Sequence, residues 1–164
     1  MFEKITFHPP RQIVPANLTA GDWASLAPLF YKLEQQLSAA TDAAQLEQAI
    51  LNWEELSAAI AEEGSKRYIA MTCQTEDKTA EQTYLDFVEK IEPEEKTSSF
   101  RLAKSLTGHS HRDGLPARRY EVFTRDAALE VDLFRPENIP LETEATKIGP
   151  VSYTHLTLPT SDLV

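Results

Sequence analysis

The stretch that decides the fold is residues 41–73, TDAAQLEQAILNWEELSAAIAEEGSKRYIAMTC. Its apolar side chains recur every three or four residues, which is the spacing of one face of an α-helix. These side chains are Leu46, Ile50, Trp53, Leu56, Ile60, Tyr68, Met71 and Cys73. Gly64 lies inside the run and costs about 1 kcal/mol relative to alanine in a helix. We therefore predict one long helix in which Gly64 marks either a close helix–helix contact or a break.

The same helical period recurs in five shorter segments on either side of this stretch. They are residues 22–37, 77–91, 94–106, 115–134 and 139–148. Asp22 and Asp77 are candidate N-caps because their carboxylates can accept hydrogen bonds from the first turn. Prolines are expected to end three segments: Pro93, Pro136 and Pro150. Pro28 fits only if it lies in the first turn of its helix or if that helix begins near Ser25.

No segment shows the alternation or the turn residues of a strand pair. We therefore predict an all-α fold, an antiparallel bundle of about five to six helices with an irregular N-terminal lead-in and C-terminal tail. The lead-in is residues 1–20, where three prolines disfavour a helix: Pro9, Pro10 and Pro15. The helical part is residues 21–149, and the tail is residues 150–164.

Length and charge limit the function of the chain. It has 164 residues, and 16 basic against 26 acidic residues give a net charge of -10. A domain of this size buries about 68–70% of its unfolded surface, so it needs no disulfide or metal to fold. Such an acidic domain lacks the basic surface of a nucleic-acid binder and would be repelled by an anionic membrane. No run of 18 apolar residues is present, so we expect no membrane-spanning segment. Together with the charge, this leads us to expect neither nucleic-acid nor membrane partners.

The chain contains one cysteine, Cys73. It can form no intrachain disulfide, and a single thiol is not a zinc site. Because Cys73 lies in the apolar stretch that begins at Tyr68, we predict a buried and unreactive thiol. Residues 1–10 do not have the pattern of a secretory leader, and we expect a cytoplasmic protein.

The histidines are the first candidates for a metal site. There are four of them: His8, His109, His111 and His155. Two zinc-binding histidines on one helix face stand four residues apart, with a glutamate between them in metalloproteases. His109 and His111 are only two apart and lie in a glycine-bounded turn, with Asp113 as the one further ligand nearby. We interpret them as solvated turn residues rather than as metal ligands.

Paired acidic and basic residues are the other candidates for chemistry. The acidic pairs are Glu54-Glu55, Glu62-Glu63 and Glu94-Glu95, and the basic group is Arg112, Arg118, Arg119 and Arg125. General acid–base catalysis needs carboxylates in differently tuned, partly buried surroundings, whereas these pairs are expected on solvated helix faces. The arginines are interpreted as a salt-bridged helix face. No phosphate-binding loop or nucleophile elbow occurs, so we assign no catalytic, cofactor-binding or metal-binding residue.

Three segments of the chain, taken in order, resemble a known family. They are residues 62–73 (EEGSKRYIAMTC), 80–93 (AEQTYLDFVEKIEP) and 125–144 (RDAALEVDLFRPENIPLETE), of which 134–141 (FRPENIPL) is the most specific. This order is similar to the N-terminal part of oligoendopeptidase F-type zinc metallopeptidases, which are relatives of thimet oligopeptidase. The resemblance covers nearly everything from Asp22 to Ile148.

The resemblance implies a mostly helical enzyme with a channel that admits oligopeptides. In that family a His-Glu-x-x-His helix and a later glutamate bind one zinc ion, and the motif's glutamate activates the water. This sequence contains no such motif, so residues 21–149 are expected to be an N-terminal lobe that hydrolyses nothing alone. Its expected partners are oligopeptide substrates and a C-terminal catalytic domain carrying the zinc. The alternative is a free-standing helical interaction module without catalysis.

The last residues lack the helical period of the rest. Residues 151–164, VSYTHLTLPTSDLV, contain five serine or threonine residues and one charged residue. One interpretation is a β-prone or disordered terminus. The other is that the segment resembles the conceptual translation of a transposase-type sequencing-library adapter, which makes residues 150–164 a non-native tail.

Overall fold

The computed structural model describes residues 11–155 of the chain, and it describes side chains for residues 11–148. Six α-helices lie in this range: α1 Trp23–Ala39, α2 Ala43–Cys73, α3 Lys78–Lys90, α4 Glu92–Thr107, α5 Ala117–Leu133 and α6 Ile139–His155. Two short 3-10 turns at Arg112–Gly114 and Pro136–Asn138 precede α5 and α6. No strand occurs between residues 11 and 155. The predicted all-α fold is confirmed.

Capping residues explain where three of the helices begin. The side chains of Asp22, Asp42 and Asp77 each accept a hydrogen bond of 2.8 Å from a backbone N–H in the first turn of α1, α2 and α3. Each bond satisfies an N–H group that has no partner inside the helix. The predicted caps at Asp22 and Asp77 are therefore present, and Asp42 caps the long helix predicted within residues 41–73.

The core lies where α1, α2 and α4 meet, and α3 and α5 close it at the sides. Its largest fully buried side chains include Leu26, Phe30, Leu33, Leu37, Leu46, Ile50, Leu56, Leu102 and Leu106. They come from positions three or four apart in each helix, so one apolar stripe per helix faces the centre. The first half of the stripe predicted in residues 41–73 is accordingly buried.

Prolines limit the helices less strictly than the sequence predicts. Helix α1 begins at Trp23 and carries Pro28 in its second turn, so both predicted placements of Pro28 were wrong. Proline removes one backbone donor, but the Asp22 cap and the buried stripe of α1 hold the helix around it. Pro93 lies in the first turn of α4, where its missing N–H is not needed.

The predicted end of the last helix at Ile148 was also wrong. Helix α6 continues through Gly149-Pro150 as far as His155. A proline removes a single intrahelical hydrogen bond, and the bonds on either side of it can maintain the helix. Residues 156–164, which include most of the predicted tail, lie outside the described residues, and so do residues 1–10 of the predicted lead-in.

The second half of α2 extends beyond the core. The last buried residue of this helix is Ile60, and the final three turns are covered mainly by α3. Cys73, at the end of α2, is exposed. The prediction of a buried thiol was therefore wrong, because the apolar period continues along α2 beyond Ile60, where the buried part of the helix ends.

Gly64 marks a close helix–helix contact, which is the first of the two predicted alternatives. A Cβ atom at this position would lie 2.8 Å from Cε1 and 3.1 Å from Cζ of the Phe87 ring. Phe87 belongs to α3 and is buried. The absence of a side chain at Gly64 therefore lets α3 approach the extended half of α2.

Residues 11–20 are irregular, as predicted for the described part of the lead-in. The structure also shows that they lie against α2. We call this segment the strap. Val14 and Ala20 of the strap are buried in the core cluster. Arg11 forms an ion pair of 2.7 Å with Glu62 of α2, and the Arg67 guanidinium donates a hydrogen bond to the carbonyl oxygen of Thr19. The strap is therefore a packed part of the domain.

Candidate functional site

The two histidines of the described turn, His109 and His111, lie close to each other. Their ring centroids are 5.7 Å apart, and Nδ1 of His109 accepts a hydrogen bond from the backbone N–H of His111 at 3.2 Å. Within the described residues, no group of three or more His, Cys, Asp or Glu side chains is arranged to hold a metal ion. His8 lies outside the described residues, and the side chain of His155 is not described.

The predicted arginine face is an ion-paired surface. Arg119 pairs with Glu47 of α2 at 3.0 Å, Arg112 with Asp113 at 3.1 Å and Arg125 with Asp126 at 3.2 Å. Tyr120 also donates a hydrogen bond of 2.8 Å to Glu47. Burial is the main cause that raises the pKa of Tyr120 to about 12, and this hydrogen bond is the next. The contacts of Arg119 and Tyr120 with Glu47 attach α5 to α2.

The predicted solvated acidic pairs are not uniformly solvated. At least one member of each pair has a specific environment, as Glu55, Glu63 and Glu95 show. Glu63 forms an ion pair of 3.2 Å with Arg67, and the side chains of Glu63 and Arg67 are 15% and 14% exposed. Glu55 is hydrogen-bonded to the strap, and Glu95 lies near the charge of Glu130 on α5. The local sequence spacing shows neither of these.

Glu55 binds the strap through three consecutive backbone groups. Its Oε1 atom accepts hydrogen bonds from the N–H groups of Gln12, Ile13 and Val14 at 2.8, 3.0 and 2.9 Å. Its Oε2 atom accepts a second contact from Gln12 at 2.9 Å. Consecutive N–H groups that converge on one oxygen form a nest for a negative charge. The carboxylate of Glu55 therefore fills an anion site that the chain makes for itself.

A cleft with a volume of about 590 Å³ lies between α2, α3 and α4, and we call it the α2–α4 cleft. Its apolar lining includes Ile60, Ile69, Tyr68, Tyr84 and Phe87, and its charged lining is Glu92, Glu95 and Lys96. The rings of Tyr68 and Tyr84 meet edge to face, with centroids 5.5 Å apart. The close approach at Gly64, which also lines the cleft, fixes the separation of α2 and α3 here.

Three carboxyl groups in and beside this cleft carry raised pKa values. Burial, followed by the charges of Glu92 and Glu130, raises the pKa of Glu95 above its usual value. Burial likewise raises the pKa of Glu92 and of Glu130, which lies on α5. The nearby charge of Lys96 opposes the shift at Glu92 and Glu95. The cleft is therefore a partly buried and acidic site.

Replacing Glu95 by glutamine should raise the melting temperature at pH 7 by about 2 °C, because it removes a charge that burial disfavours. A carboxyl whose pKa is raised on folding contributes stability that is present below the unfolded pKa of about 4.3 and is lost as pH rises through the folded value. The difference between Glu95→Gln and the parent chain should therefore vanish near pH 4. Thermal unfolding followed by circular dichroism between pH 4 and pH 8 measures it.

The matched control for this change is Glu94→Gln. Glu94 is the neighbouring carboxylate on α4, and it is exposed. Its replacement removes the same formal charge and should leave the melting temperature nearly unchanged across the pH range. A lower melting temperature for Glu95→Gln than for Glu94→Gln at pH 7 would contradict the prediction.

Exposed apolar side chains are concentrated on α5 and α6. Val122, Leu129 and Leu133 of α5 are 58%, 49% and 73% exposed, and Leu141 and Ile148 of α6 are 70% and 64% exposed. Positions 122, 129 and 133 are spaced by seven and four residues, so they share one face of α5. This face is opposite to the one that carries the buried Tyr120 and Ala127.

Sequence reasoning missed the α2–α4 cleft and the contacts of Glu55. The spacing of Glu92 and Glu95 places both on one face of α4, which is the only local signal for the acidic part of the cleft. No local signal links Glu55 to the strap, because the bonded residues are more than 40 positions apart.

The comparisons with known proteins give one match. The family model of the Peptidase M3 N-terminal domain matches residues 15–134, a range that contains the described strap from Pro15 onward and helices α1–α5. No curated protein and no solved structure matches the chain. No helix in the described part of the chain has the length and apolar character needed to span a membrane. Because the matched range covers more than half of the sequence, the chain belongs to the Peptidase M3 N-terminal domain family.

Proposed function

We propose that this chain is the N-terminal helical lobe of a zinc-dependent oligoendopeptidase of the F type, a hydrolase of peptide bonds in short peptides. The observation that carries the proposal is the family match over α1–α5. The zinc would be held by a His-Glu-x-x-His helix in a C-terminal catalytic part, because the 164 residues contain no such motif. The lobe itself hydrolyses nothing and supplies part of the channel wall. We also propose a cytoplasmic location for the enzyme.

The exposed face of α5 supports a partner for this lobe. Large apolar side chains that are grouped on a protein surface often mark a site of contact with another protein. Val122, Leu129 and Leu133 therefore form the surface on which we place the catalytic part. The alternative, a free-standing helical interaction module, would use the same surface for an unrelated protein.

The activity is tested by incubating the chain with zinc and a quenched fluorescent peptide of the bradykinin type. We expect no cleavage above the blank. Co-expression with the segment encoded downstream should produce cleavage that a zinc chelator abolishes. Cleavage by the chain alone that is sensitive to the chelator would contradict the proposed inactivity, and a native stop codon after residue 149 would favour the interaction module.

The contact surface is tested separately with Leu129→Ser and Leu133→Ser together. This pair should weaken association with the downstream segment about tenfold or more, because two exposed apolar anchors are lost. The matched control is Tyr31→Ser on α1, which removes a side chain that is 65% exposed on another face. Equal effects of the two variants would show that α5 does not form the contact.

A further inference from the structure

The α2–α4 cleft combines aromatic walls with two carboxyl groups and one lysine, so its charged lining is net negative. Tyr84 is buried beside the acidic group, and burial followed by the charge of Glu92 raises the pKa of its hydroxyl. Lys96 is the cation that lines the cleft, but its Nζ atom lies 2.8 Å from Glu142 of α6. Glu92 and Glu95 therefore line the cleft beside Lys96, whose ion pair is with Glu142 rather than with either of them. Charge complementarity favours a cationic occupant.

The lining of the cleft does not suit a metal ion. The acidic side chains of the described residues include no group arranged to hold one. The cleft has room for much more than an ion, with a volume of about 590 Å³. Its apolar and aromatic lining favours an organic cation attached to an apolar chain.

Arginine is the cation that matches both parts of the lining. A guanidinium group stacks on aromatic rings and pairs with carboxylates through two parallel N–H groups, whereas an ammonium group is a strongly hydrated point charge. The chain already shows such stacking at the edge of this region, because the guanidinium carbon of Arg67 lies 5.2 Å from the centroid of the Phe87 ring. Ile69 at the rim is 58% exposed and can cover an apolar residue next to the arginine.

We propose that the α2–α4 cleft is a docking site for an arginine of a basic, apolar peptide segment, with Glu95 and Glu92 as the anionic partners and Tyr68 and Tyr84 as the stacking surface. Burial raises the pKa of both carboxyl groups, and groups with such shifted pKa values are concentrated at functional sites. The site depends on this chain alone. It does not require the peptidase activity proposed above.

The test uses the full chain and the peptide acetyl-Leu-Arg-Phe-Arg-Leu-amide at 150 mM salt, followed by calorimetry and by nitrogen–proton correlation spectra. The same peptide with citrulline in place of arginine keeps the shape and removes the charge. We expect the citrulline peptide to bind about tenfold more weakly, since a charge-assisted pair is lost. The largest shifts of resonances should be those of the residues that line the cleft.

Glu95→Gln and Glu94→Gln form the matched pair of variants, because both remove one negative charge from α4 and only Glu95 lines the cleft. Glu95→Gln should weaken binding of the arginine peptide about fivefold or more, and Glu94→Gln by less than twofold. Ile69→Ser should weaken it about threefold through lost apolar contact. Both glutamate variants are expected to fold, which circular dichroism checks.

Several results would overturn the site. Equal weakening by Glu94→Gln and Glu95→Gln would show general attraction to an acidic protein. Equal affinity for the arginine and citrulline peptides, or no binding at 1 mM peptide, would remove the cationic occupant. Self-association that Ile69→Ser abolishes and that excludes the peptide would identify a second copy of this chain as the occupant instead. None of these results bears on peptide hydrolysis, which the downstream zinc motif decides.

Discussion

Replacing Gly64 by valine should lower the free energy of unfolding by about 3 kcal/mol, because extra atoms in a closely packed contact force side chains and backbone apart. The new Cβ atom would lie 2.8 Å from Cε1 of Phe87, and the two methyl groups of valine add to the overlap. Phe87 is only 5% exposed and belongs to the core cluster, so displacing its ring disturbs the packing of the core. The gain in helix propensity from removing a glycine is at most about 1 kcal/mol. Urea unfolding followed by circular dichroism measures the difference.

Ser65→Val is the control for this change. Ser65 is the next residue of α2 and is exposed, so the same side chain at that position should alter stability by less than about 0.5 kcal/mol. Phe87→Leu provides a second check, because a smaller side chain makes room for the valine. The double variant should be more stable than the sum of the two single losses predicts. Additive losses would show that Gly64 and Phe87 are not in the close contact described above.

Helix type and helix starts are predictable from the sequence because their causes are local. The apolar period of residues 41–73 specifies one face of α2 whatever packs against it. Asp22 and Asp77 satisfy N–H groups only two or three residues away. The pattern gave two alternatives for Gly64, and the identity of the residue opposite it decides between them. That residue, Phe87, belongs to a different helix.

Features that depend on distant residues were not predictable in this way. Cys73 belongs to an apolar stripe, yet it is exposed because it lies beyond Ile60, where the buried part of α2 ends. Pro28 and Pro150 have poor helix propensity, and both lie inside helices. Propensity is a weak local preference that packing over a whole helix can outweigh.

The acidic residues show the same limit for the candidate site. Glu94 and Glu95 are neighbours of the same type, and no local pattern separates them. The packing of α4 against α5 brings Glu130 near Glu95, while Glu94 remains exposed. The net charge of -10 predicts that the chain avoids anionic partners, but only the fold shows where the negative charge is partly buried.

Replacing Glu55 by glutamine should lower the free energy of unfolding by about 2 kcal/mol, which is typical for hydrogen bonds to a charged group. The carboxylate accepts bonds from Gln12, Ile13 and Val14 through Oε1 and a further contact from Gln12 through Oε2. Glutamine keeps one acceptor oxygen, but its amide nitrogen would meet the N–H of Gln12 donor to donor. The strap should therefore separate from α2 before the helices unfold. Hydrogen exchange at Gln12, Ile13 and Val14 and urea unfolding measure the two effects.

Glu54→Gln is the matched control, because Glu54 is the preceding residue of α2 and its side chain is exposed. It removes the same charge, so stability and strap protection should change little, by less than about 0.5 kcal/mol. Limited proteolysis adds an independent measurement, since a protease should cut the strap of Glu55→Gln faster than that of Glu54→Gln. The ion pair of 2.7 Å between Arg11 and Glu62 remains in both variants. It does not replace the bonds to Glu55, because it holds only one end of the strap. Equal cleavage rates for the two variants would mean that burial of Val14 and Ala20, rather than Glu55, keeps the strap on α2.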